Sequence, residues 1–101
     1  MSEKTTMSEK TIVFSTLEEQ IDRYLYEMNL VALVNALQYV LSNFNIYFNV
    51  QLRDVVLVYK DRLVSSIIVT IFLRFGCAIK IKITSDNKGV VTSVDVWYVN
   101  D

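Results

Sequence analysis

The chain has 101 residues, of which 52% are hydrophobic and 21% are charged, and its formal net charge is −1. This composition excludes a disordered chain and permits one domain with a packed core. The near-neutral balance and the pI of about 5.3 argue against a dedicated nucleic-acid binder, although residues 53–88 carry a local net charge of +4.

The first residues are polar and contain a short duplication, because Met1–Thr5 recurs as Met7–Thr11. Terminal segments of this kind rarely pack, so we expect residues 1–11 to be disordered and residues 12–101 to form a single α+β domain. Cys77 is the only cysteine and no signal peptide is recognisable. We therefore expect an intracellular, cytoplasmic protein without disulfides.

One amphipathic helix is predicted from about residue 16 to residue 43. Ser15 and Thr16 each precede a glutamate by three residues, at Glu18 and Glu19, which gives two overlapping capping boxes. Apolar residues then recur at helical spacing as far as Phe44.

No charged residue lies between positions 27 and 53, which raises the question of a membrane span. Asparagine, glutamine and serine interrupt this run, and its densest apolar part, residues 30–41, is shorter than the roughly 20 residues that a span needs. We therefore expect a buried helix and no membrane contact.

The remaining sequence reads as β-strands separated by turns. Residues 46–59 fit one bent strand with a bulge near Asp54, or two strands that meet at Arg53-Asp54; the lack of glycine or asparagine at that point favours the bent strand. Residues 60–62 are expected to turn the chain into the next strand. A three-residue turn at 74–76 and a four-residue turn at 86–89 keep the apolar residues of the last three strands on one face. The sequence thus predicts an α+β fold in which one long N-terminal amphipathic helix packs on a four-stranded antiparallel β-meander.

The strands are apolar on both faces, yet a single helix can cover only one. The predicted turns place Phe72, Ala78 and Trp97 side by side on the other face, with Lys80 opposite Asp95. This face either packs against the chain ends or forms an interface with another molecule. We expect the interface, with a homodimer as its simplest form. Its predicted contacts are Phe72, Trp97, Ala78, Ile68, Leu57 and Tyr59.

A second interpretation of the same face is a platform for single-stranded nucleic acid. Aromatic rings would stack on bases, and neighbouring cations would contact phosphates. The predicted phosphate contacts are Arg74, Lys80, Lys82 and Lys60. The acidic pI and the Asp95 partner of Lys80 make this interpretation less favoured.

Enzyme chemistry has little support in the sequence. With no histidine, the chain has no histidine base and no histidine metal ligand. Cys77 is expected to be a small core residue, and helix capping accounts for the acidic residues near position 20. Asp54 is the one carboxylate without an assigned place. We predict no catalytic residue, metal or cofactor, and keep a small enzyme that uses carboxylates as a further alternative.

In general character the chain resembles small proteins encoded by viruses of hyperthermophilic archaea. The resemblance rests on the short length, on stretches such as Phe44-Asn45-Ile46-Tyr47-Phe48-Asn49-Val50, and on the absence of histidine and proline. It implies a dimeric accessory protein of the host-cell cytoplasm that binds a host or viral macromolecule. It implies no site residues.

Overall fold

The computed structural model describes residues 11–100, which form two helices and a four-stranded antiparallel sheet. The elements are α1 (Phe14–Tyr26), α2 (Leu30–Asn43), β1 (Val55–Arg62), β2 (Ser66–Leu73), β3 (Cys77–Ser85) and β4 (Val91–Asn100). The strands lie in chain order, as in a meander. The predicted α+β class and antiparallel sheet are confirmed, whereas the expectation for residues 1–10 lies outside the described residues.

The prediction of a single long helix is wrong, because residues 27–29 separate α1 from α2. Met28 has a left-handed φ of 55°. The amides of Met28 and Asn29 donate to the carbonyls of Leu25 (3.1 Å) and Tyr24 (2.8 Å), a Schellman motif that ends α1. The Asn29 side chain then caps α2 by accepting a hydrogen bond from a backbone amide three residues later.

The start of α1 also differs from the predicted one. The helix begins at Phe14, and its N-cap residue, Val13, makes no capping hydrogen bond with its side chain. The Phe14 amide instead donates to the carbonyl of Gly89 at 2.9 Å, and Val13 pairs with Val90 in an isolated antiparallel bridge. The turn between β3 and β4 therefore takes the place of the expected capping box and holds the start of α1 against the sheet.

The core lies between the two helices and the inner face of the sheet, which we define as the face that packs on the helices. Burial of this apolar surface is the main favourable contribution to folding. The alternation predicted for β2 and β3 is confirmed by their fully or almost fully buried residues, which are Ile67, Val69, Ile71, Ile79, Ile81 and Ile83. The helices contribute Ile21, Leu33, Leu37, Val40 and Leu41, among others.

Residues 46–54 belong to no strand, so the prediction of one bent strand over 46–59 is wrong. Phe48 is nevertheless buried, and Ile46 and Val50 pack partly against the core. The Phe48 carbonyl accepts a hydrogen bond from the Gln38 side chain at 3.3 Å. The alternation therefore predicted the burial of these three side chains correctly, but the segment pairs with no strand of residues 11–100.

Strand β1 begins and ends later than predicted. A short 3₁₀ turn at Leu52–Asp54 leads into it, and its bulge lies between Val55 and Leu57 instead of near Asp54. Residues 60–62, which were expected to form a turn, are paired with β2. Because β1 extends through Lys60 and Tyr59 points away from the helices, Lys60 points toward them.

The register between β3 and β4 differs by two residues from the predicted one. Ser85 pairs with Val91 instead of Val90, and a bulge at Thr92 adds a second residue before Thr84 pairs with Ser93. Because the shift is even, each side chain from Ser93 onward keeps its predicted face. Its neighbours across the strands nevertheless change.

Candidate interface on the outer sheet face

The outer sheet face is the face that points away from both helices, and three of its rows of cross-strand neighbours span all four strands. The first row is Leu57, Phe72, Ala78 and Val99; the second is Tyr59, Thr70, Lys80 and Trp97; the third is Asp61, Ile68, Lys82 and Asp95. All six predicted contact residues therefore share one surface. Their predicted neighbours are corrected by the new register: Trp97 lies beside Lys80 instead of Ala78, and Asp95 lies beside Lys82 instead of Lys80.

On the outer sheet face, large half-exposed side chains surround two small residues that are almost buried. Leu57, Tyr59, Phe72 and Trp97 are between 39% and 57% exposed. Thr70 and Ala78, which are diagonal neighbours, are only 3% and 7% exposed. Thr70 and Ala78 are therefore shielded by the large side chains around them, while no helix of the described chain covers those large side chains.

The charged residues of this face are balanced in number. Lys80 and Lys82 lie on the central strand β3, and Asp61 and Asp95 lie on the two outer strands. Within residues 11–100, neither lysine forms an ion pair with a carboxylate within 4 Å. Arg74 lies in the exposed turn between β2 and β3, at the end of the face.

Lys60, the fourth predicted phosphate contact, lies on the opposite face of the sheet. Its side chain is only 14% exposed, and its Nζ atom lies 2.7 Å from Asp22 Oδ1 and 3.0 Å from Glu18 Oε2. Burial opposes the charge of Lys60, but the hydrogen bonds to Asp22 and Glu18 outweigh it and raise the pKa of Lys60 above its usual value of 10.5. Lys60 thus anchors α1 to β1 and is not available on the outer sheet face.

Sequence reasoning missed the ion cluster that contains Lys60. Arg62 completes it, because its Nε lies 2.9 Å from Glu18 Oε2 and its guanidinium lies 5.0 Å from the centre of the Phe14 ring. Arg62 also donates hydrogen bonds to the carbonyls of Leu63 and Val64 in the next turn. The signal was the alternation itself: if β1 continues past Tyr59 on the outer sheet face, Lys60 and Arg62 must point inward.

The turn between β3 and β4 is held by Asp86. Its Oδ1 atom accepts hydrogen bonds from the amides of Val90 (3.0 Å) and Lys88 (2.8 Å). The hydrogen bond from Val90, followed by that from Lys88, lowers the pKa of Asp86 below its usual value of 3.8. Gly89 has a φ of +83°, which a residue with a side chain rarely adopts.

The described residues also form a groove and a smaller depression. A groove of about 620 Å³ lies between the start of the described chain, α1 and α2. A smaller depression of about 260 Å³ is lined by Arg53, Asp54, Arg74 and Phe75, and it is where Asp54 is placed. Cys77 is partly buried beside the turn at 74–76.

The described residues contain no group of three or more Cys, Asp or Glu side chains that could hold a metal ion. Among the helices of residues 11–100, none is long and apolar enough to cross a membrane.

Comparison with known proteins adds no relative to this description. The sequence matches no protein-family model. Neither the curated proteins nor the solved structures yield a match to this chain.

Proposed function

We propose that this chain is a non-enzymatic interaction module whose outer sheet face binds a second copy of the chain. The observation that carries the proposal is the asymmetry of the sheet. Two helices cover the inner face, whereas Leu57, Phe72 and Trp97 remain 57%, 41% and 39% exposed on the other side. Contiguous apolar surface of this kind is uncommon on monomers and typical of interfaces.

The size of the outer sheet face is sufficient for a dimer. Four strands about 4.8 Å apart, each about eight residues long at about 3.3 Å per residue, give a face of roughly 500 Å². A face-to-face pair would bury about 1,000 Å² in total, which is near the lower limit for a specific interface. Large aromatic side chains such as Trp97 and Phe72 would supply most of its binding energy.

The charges on the outer sheet face also favour a second copy. Two lysines and two aspartates give it a net charge of zero, so two copies meet without net repulsion. A surface for nucleic acid depends on a basic excess. With Lys60 on the inner face, three of the four predicted phosphate contacts remain on or next to the outer sheet face: Lys80, Lys82 and the neighbouring Arg74.

One observation supports the nucleic-acid alternative. The corrected register puts Tyr59, Lys80 and Trp97 in a single row, so two rings flank a cation in the manner of a stacking platform. The resemblance to archaeal viral proteins would add a further host or viral macromolecule as partner of the dimer, in the host cytoplasm.

The decisive experiment measures the molar mass by light scattering over a range of protein concentrations, for the wild type and for Trp97→Asp. We expect the wild type to dimerise and Trp97→Asp to be a folded monomer. Tyr98→Asp is the matched control, because Tyr98 is the next residue of β4, lies on the other side of the strand and is 67% exposed. It should leave the dimer intact.

A wild type that stays monomeric would contradict the proposal. In that case, the binding of a fluorescent single-stranded oligonucleotide is measured against salt concentration. Binding that Lys80→Glu/Lys82→Glu abolishes and that weakens steeply with salt would establish the nucleic-acid alternative instead.

A further inference from the structure

The sizes and charges of the side chains on the outer sheet face restrict how a second copy would dock. In the first row, Phe72 projects beside Ala78, its direct partner on β3. Phe72 is 41% exposed and Ala78 only 7%. A large, half-exposed side chain on β2 and a small, shielded one on β3 therefore lie side by side.

We propose that two copies pack face to face about a two-fold axis that runs parallel to the strands, between β2 and β3. This inference rests on the proposed function. Such an axis places β2 over the partner's β3 and β1 over the partner's β4. Phe72 of each copy then lies over the small Ala78 of the other, and Tyr59 meets Trp97 across the interface. Aromatic pairs in this position add to the energy of burial.

The positions of the lysines distinguish this axis from the main alternative. A two-fold axis across the strands that buries all three rows places β3 over β3, so that Lys80 of one copy meets Lys80 of the other at the centre of the interface. Like charges are costly there because the centre loses its solvent. The axis along the strands places both lysines over β2, whose outward side chains, Ile68, Thr70 and Phe72, are uncharged.

One cost of the proposed arrangement falls at the margin of the interface. It places Asp61 of one copy over Asp95 of the other, in the third row. Both aspartates lie on outer strands of the sheet and are exposed. Repulsion between exposed charges is weak and screened by salt. Dimerisation should therefore strengthen with added salt, or with Asp95→Asn.

Cross-linking between single-cysteine variants tests the axis. In a Cys77→Ser background, Leu57→Cys carries an affinity tag and Val99→Cys does not. Packed sheets lie about 10 Å apart, beyond the reach of a disulfide, whose Cα atoms are at most about 7 Å apart. A thiol-specific reagent with two reactive ends and a span of about 10 Å is therefore used. Each variant is first checked by light scattering for an intact dimer.

We expect the mixture of the two variants to give a cross-linked product of mixed mass, and each variant alone to give little. A dimer in which Leu57→Cys links efficiently to itself, with no mixed product, would overturn the proposed axis and leave the outer sheet face as the interface. A dimer in which no combination is linked would also overturn the proposed axis. Trp97→Asp then separates the two remaining cases, because it breaks a dimer that uses the outer sheet face about another axis and leaves intact a dimer whose interface lies elsewhere. A monomeric wild type overturns the proposed function itself.

Discussion

Replacement of Lys60 by methionine tests whether this residue is structural. The substitution keeps an unbranched apolar stem of similar length, so packing along β1 is preserved. It removes the two charge-assisted hydrogen bonds to Asp22 (2.7 Å) and Glu18 (3.0 Å). Glu18 keeps one cationic partner, because Arg62 lies 2.9 Å away.

The expected loss is about 2 kcal/mol of the free energy of unfolding. A hydrogen bond to a charged group is worth about 1.5–3 kcal/mol when it is shielded from water. The bond to Glu18 belongs to this class, since Lys60 and Glu18 are 14% and 21% exposed. The bond to Asp22, which is 57% exposed, contributes at most about 1 kcal/mol. Arg62 compensates part of the loss at Glu18.

Urea denaturation followed by circular dichroism measures the effect. With a slope of about 1–3 kcal/mol per M, a loss of about 2 kcal/mol lowers the midpoint by roughly 1 M. Lys88→Met, in an exposed turn, is the control and should change stability by less than about 0.5 kcal/mol. If dimerisation occurs, both are compared at the same protein concentration. A Lys60→Met protein as stable as the wild type would refute the reasoning.

The same ion cluster has a pH signature. Because the pKa of Lys60 is raised on folding, its stabilisation is complete below the unfolded value of 10.5 and is lost as the pH rises through the higher folded value. The stability difference between wild type and Lys60→Met should therefore be constant near neutral pH and shrink above about pH 10.5. A difference that persists at high pH would assign the effect to packing.

Two further predictions concern the turns. Phe75 is 93% exposed and has a φ of 71°. Because asparagine tolerates the left-handed region, Phe75→Asn should raise the free energy of unfolding, measured by urea denaturation, by about 1 kcal/mol. Tyr47→Asn is the control and should gain no stability, because Tyr47 is fully exposed and has no positive φ. Asp86→Asn should destabilise the wild type at neutral pH, and the difference should disappear as the pH falls below 3.8, since the lowered pKa of Asp86 stabilises only the ionised form. A gain in the Tyr47 control, or an Asp86 effect independent of pH between 3 and 7, would contradict these assignments.

The candidate interface was largely predictable because side-chain parity is a local property. The three-residue turn at 74–76 fixed the pairing of β2 with β3, so Phe72 and Ala78 were correctly placed as neighbours. Parity also survived the error at the next turn, where two additional residues separate β3 from β4. Trp97 therefore stayed on the outer sheet face while its neighbour changed from Ala78 to Lys80.

The sequence by itself determined which side chains of β2, of β3 and of β4 from Ser93 onward face the core, because the strand period and the turn lengths require no partner. At the start of β4 the prediction is wrong, because the bulge there places Val91 in the core instead of Thr92. Only the tertiary structure decided whether an apolar segment forms a strand, as residues 46–54 show: a strand exists only where a neighbour supplies hydrogen bonds. It also decided the break at Met28, whose left-handed conformation carries no residue signature, and the start of α1, which Gly89 fixes from the far end of the chain by accepting the hydrogen bond of the Phe14 amide. Lys60 was predicted to contact phosphate but is a structural residue that pairs with α1. The prediction failed because contacts between distant segments, here β1 and α1, depend on packing that no local pattern encodes.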